Sequence, residues 1–131
     1  MLRFAVLMSL LSVSCLQADS LPAGWRLAGS NPAGYNAGID SLEGQPSPSG
    51  FMFSTSSAVN DQFGTVMQSF IPEAYRGHRV RLRGFIKAQS LDQWAGMWMR
   101  IDKGSQTIAF DNMSQRPIRQ SIEWRSFDIV L

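Results

Sequence analysis

The chain has 131 residues, 44% of them hydrophobic and 17% charged, with a single cysteine. That is the length of one domain, apolar enough for one core, and the lone cysteine excludes a disulfide framework or a His/Cys metal cluster. Twelve Lys and Arg against ten Asp and Glu leave a formal charge of +2, which falls to +1 if Arg3 is removed with a leader, too little for the broad one-sided patch of a nucleic-acid footprint; nucleic acid is therefore not an expected partner.

Residues 1–18 read as a signal peptide. Met1-Leu2-Arg3 is a short basic start, Phe4 to Leu11 is an apolar run, and cleavage after Ala18 follows a stretch of small and polar residues. The run is far below the ~20 residues of a transmembrane helix, so no membrane span is expected. A buried N-terminal helix is the alternative. Cys15 closes Leu11-Ser12-Val13-Ser14-Cys15, which loosely resembles a lipobox. Because Ser12 stands where Leu is usual, a lipid anchor at Cys15 is the minority reading. The expected location is periplasmic or extracellular.

Residues 19–50 are rich in Gly, Pro, Ser and Asn, with Trp25, Leu27, Tyr35 and Ile39 between the turn signals. This predicts a loop-rich arm that packs a few aromatics on a core formed by 51–131. From Phe51 the pattern becomes period two. Phe51 to Thr55, Thr65 to Ile71, Arg79 to Lys87, Trp94 to Asp102, Thr107 to Asp111 and Glu123 to Leu131 are strand candidates, and Lys103-Gly104-Ser105-Gln106 is a hairpin turn. Short strands separated by turns, with no capped helical period, predict an all-β sandwich or barrel. The sequence stops on Ile129-Val130-Leu131 inside a strand pattern, which predicts a domain truncated at its C-terminus.

Several phrases form a set: Trp25 with Gly29-Ser30 and Tyr35 to Asp40; Phe63 to Phe70; Tyr75 to Gly84; Trp94 to Asp102; Ala109-Phe110-Asp111-Asn112-Met113, then Arg116-Pro117-Ile118 and Trp124. Together they resemble a jelly-roll accessory domain of bacteria, similar in architecture to galactose-binding-like and carbohydrate-binding modules. The resemblance runs from about Leu21 to Leu131 and implies a jelly-roll-like β-sandwich. Such domains occur alone, beside helix-turn-helix regulators and in some secreted serine peptidases. The family pattern continues with Gly-rich and Trp-Asp strands that are absent here, and Arg119-Gln120-Ser121-Ile122 stands where a Gly-Thr is usual.

No catalytic set is visible. The one histidine, His78, sits in a turn without a nucleophile partner. A hairpin over 102–111 would set Asp102 and Asp111 roughly opposite each other, as a glycosidase pair requires, but Asp near turns is ordinary. No cofactor is expected; Asp102, Asp111 or Asn112 are the residues that a structural Ca²⁺ would use. Trp94, Trp98, Arg100 and Asp102 alternate away from Ala95, Met97, Met99 and Ile101. That face is either core or a surface on which aromatic rings stack on a sugar while polar groups hold its hydroxyls. Arg116, fixed by Pro117, either takes a ligand carboxylate or pairs with Asp111. The row Arg79, Arg81, Arg83 is expected either to offset edge pairing or to meet Asp and Glu across the sheet, rather than to bind a polyanion. The expected function is an exported, non-enzymatic binding module for a carbohydrate-like ligand through Trp94, Trp98, Arg100, Asp102, Asp111, Asn112 and Arg116. The alternative is a structural domain that contacts an envelope protein.

Overall fold

The computed structural model describes residues 20–131. Eight strands follow one another: β1 Arg26–Gly29, β2 Tyr35–Asp40, β3 Ser49–Ser54, β4 Gly64–Met67, β5 Arg81–Ala88, β6 Met99–Lys103, β7 Gln106–Asp111 and β8 Ile122–Val130. The only helical elements among the described residues are the 3₁₀ turns Pro32–Gly34 and Glu73–Tyr75. The chain is all-β, as the sequence predicts. The signal peptide expected over 1–18, with Cys15, lies outside the described residues.

All pairing is antiparallel and nested twice over. In the first set β1 pairs with β4 around a β2–β3 pair; in the second β5 pairs with β8 around a β6–β7 hairpin. The arm over 19–50 is thus more than loop, since it supplies β1 and β2. Gly104, at φ 61, turns β6 into β7 through two residues and sets Lys103 opposite Gln106, the left-handed conformation that such a hairpin needs.

Two strand candidates are shorter than expected. β4 ends at Met67, where its partner β1 begins at Arg26; Gln68 to Ile71 have no strand to pair with and are exposed. The stretch before β6 leaves the ladder as well. Ala95 forms an isolated bridge with Ile118, donating and accepting at 2.9 and 3.0 Å.

The core lies entirely in the second set. Ala88, Met113, Ile118 and Ile129 are buried, and Ile86, Leu91, Met97, Met99, Ile122, Phe127 and Leu131 pack around them. Along β5, Ile86 is half-buried and Ala88 buried, while Arg81, Leu82, Arg83 and Phe85 are exposed. In the first set the fully buried residues are glycines, Gly34 and Gly38, so that set gains little from apolar burial.

Candidate functional site

The segment 111–118 is built from local polar contacts around one buried side chain. Asp111, at the end of β7, accepts the Met113 N–H at 2.7 Å, and Asn112 Oδ1 accepts the Ser114 N–H at 3.1 Å, two successive Asx turns. They carry Met113 into the left-handed region, φ 61, with its side chain fully buried. Its sulfur accepts the Met97 N–H at 3.3 Å. Arg116 closes the loop from above, with Nη1 and Nη2 donating to the two Asp111 oxygens at 3.2 and 2.8 Å and Nη2 also donating to the Asp128 carbonyl at 3.1 Å. The guanidinium, helped by the Met113 N–H, holds the Asp111 carboxyl below its ordinary value. Pro117 and Ile118 then return the chain to Ala95.

This geometry decides how Asp111, Asn112 and Arg116 are used. Their polar atoms hold their own loop, and Arg116 takes the pairing role rather than that of a free anion receptor. Asp102 belongs elsewhere. Across the hairpin Asp102 faces Thr107 and Asp111 faces Met99, so the two carboxylates stand about 10 Å apart along the ladder, not opposite each other. Asp102 accepts from Arg100 Nε at 3.1 Å and from the Thr107 hydroxyl at 2.8 Å. A shared two-carboxylate site of the glycosidase kind is not assembled from Asp102 and Asp111.

The tryptophans separate too. Trp98 is half-buried: its indole N–H donates to Thr65 Oγ1 at 2.8 Å, and its ring tilts against Phe110 with centroids 6.4 Å apart. It thereby ties β4 of the first set to the hairpin of the second. Trp94 is 40% exposed and lies over Gly96. Arg100 faces Phe110 across the ladder. Trp98, Arg100 and Asp102 therefore line one side of the hairpin, while Trp94 sits beside the Ala95–Ile118 bridge.

On β5 and β8, Arg83 sits directly opposite Asp128 and donates to both carboxylate oxygens at 2.7 and 2.8 Å. The contact lowers the Asp128 pKa and raises that of Arg83. The cross-sheet pairing expected for the arginine row is thus made by Arg83. Two arginines not singled out from the sequence, Arg119 and Arg125, line an open groove with Arg116, Ile118, Ile122 and Phe127. Their only sequence signal is the departure Arg119-Gln120 from the family pattern.

No family model matches the chain, and no solved structure matches it. The chain is similar to an uncharacterized HTH-type transcriptional regulator, YbfP, of Bacillus subtilis (strain 168), with 40% identity over 110 residues. The match covers 82% of this chain and 37% of that protein, so the chain spans little more than a third of its relative's length.

This likeness corrects the functional expectations. An exported module for a glycan or an envelope protein, whether secreted, periplasmic or lipid-anchored, is not the role indicated by a relative named as a transcriptional regulator. The exclusion of nucleic acid falls on the same finding. The modest charge of +2 describes this chain alone and says nothing of a longer protein's contact with DNA. The apolar run that suggested export lies within 1–18, outside the described residues.

Proposed function

We propose that the chain is a β-sheet module of a DNA-binding transcriptional regulator, a part that serves the regulator without supplying its reading helix. The observation that carries this reading is the 40% identity over 110 residues to an HTH-type regulator, in a segment that holds no α-helix among the described residues. A helix-turn-helix reads the major groove with a helix, so the shared segment serves another task in such a protein. The resemblance to accessory domains found beside helix-turn-helix regulators supports the same assignment. A non-enzymatic role agrees with the way Asp102, Asp111 and Arg116 are used in structural pairs.

A segment exchange tests it. The matched segment of the B. subtilis regulator is replaced by this chain, and transcript profiles are compared with those of the parent strain and of a deletion strain. A chimera that restores the parental profile supports the reading. A chimera that is folded and abundant but leaves the deletion profile overturns it.

A further inference from the structure

The groove between the 116–120 segment and β8 is open to solvent, with a volume of about 410 Å³. Its floor is apolar: Ile118 is buried, and Ile122 and Phe127 are half-buried. Above it stand Arg116, Arg119 and Arg125. Arg116 is neutralised by Asp111 at 2.8 Å. Among the described residues Arg119 and Arg125 form no ion pair. The β5–β8 ladder shifts register between Ile86, opposite Arg125, and Ala88, opposite Ile122. Such a bulge re-aims side chains, and here it lies between Ile122 and Arg125, two of the three β8 residues that line the groove.

We propose that this groove binds an organic carboxylate with an apolar body. The carboxylate meets the forked guanidinium groups of Arg119 and Arg125, and the hydrocarbon covers Ile118, Ile122 and Phe127. The floor is what separates this ligand from a nucleic-acid backbone: a phosphodiester would satisfy the arginines and leave the apolar surface wet. The binding is a property of this chain alone, so it stands or falls apart from the regulator assignment.

The test is calorimetric titration of the full chain with benzoate and 3-phenylpropionate, with benzyl alcohol as the neutral counterpart. Saturable binding at about millimolar concentration is expected for the carboxylates, with the alcohol roughly tenfold weaker or more. Arg119→Gln with Arg125→Gln should weaken carboxylate binding by at least about tenfold with unchanged circular dichroism, and Arg79→Gln, outside the groove, should leave it as it was. Equal binding of acid and alcohol, no saturable binding of either acid, or full affinity in the folded double variant each overturns the proposal. So does a double variant that loses affinity for a duplex DNA probe while the parent binds neither acid, since the arginines would then be nucleic-acid contacts.

Discussion

Met113 is a large apolar residue held in a left-handed conformation, which costs on the order of 1 kcal/mol. Its complete burial and the two Asx turns before it offset that cost. Met113→Ala removes the burial and keeps the strain, so it should lower the unfolding free energy by about 2–5 kcal/mol, measured by urea denaturation. Asp111 and Asp128 make a second, pH-dependent prediction. Both carboxyls titrate below the ordinary 3.8 in the folded protein. A depressed folded value gives stability that is present above the unfolded value and lost as pH falls through the folded one. Denaturation midpoints should therefore drop as pH is taken below about 4, and Asp111→Asn should flatten that drop. The contribution of each exposed pair is small, so the comparison is between slopes.

At the scale of elements, the β6–β7 hairpin was the most legible feature in the sequence and the 94–98 stretch among the least. The hairpin is specified locally by Gly104, and nothing lies within 4 Å of the position a Cβ would take there. Gly104→Ala should then cost about 1 kcal/mol through its φ of 61 alone, and Gly104→Asn should cost less, because Asn tolerates this conformation; thermal unfolding of the two variants separates them. Trp94 to Trp98 alternate like a strand, yet Ala95 is committed to Ile118. A partner more than twenty positions away is invisible to a local pattern. Gln68 to Ile71 failed for a related reason, since the length of β4 is set by where β1 begins. The arginines of the groove are hidden likewise, because Arg119 and Arg125 share a groove only once the 116–120 segment lies beside β8.

For the whole molecule, class was readable and assembly was not. Period-two alternation and turn residues announce an all-β chain, but nothing in the order of strands states that pairing is nested in two sets. The indole of Trp98 is one of the few side chains that cross between them, through Thr65 at 2.8 Å; the ion pair of Lys87 with Glu43, at 3.3 Å, is another. A double-mutant cycle of Trp98→Phe and Thr65→Val should show a coupling of about 0.5–1.5 kcal/mol. A coupling near zero would mean that the sets are held together by other contacts. The function is the least legible property, because the signal for export lies in residues 1–18, outside the described residues, and no local motif among the described residues announces the likeness to a regulator.

Placing every buried apolar side chain in one of the two sets has a consequence for the order in which the molecule comes apart. A region with little buried apolar area opens at lower free energy than one anchored by a core. Amide protons of β2 and β3 should exchange with deuterium through a sub-global opening, well before those of β5 and β8, whose release waits for the core to be lost. The protein would then melt in two stages, with the 81–131 half persisting as a folded remnant while the first four strands are already exchanging.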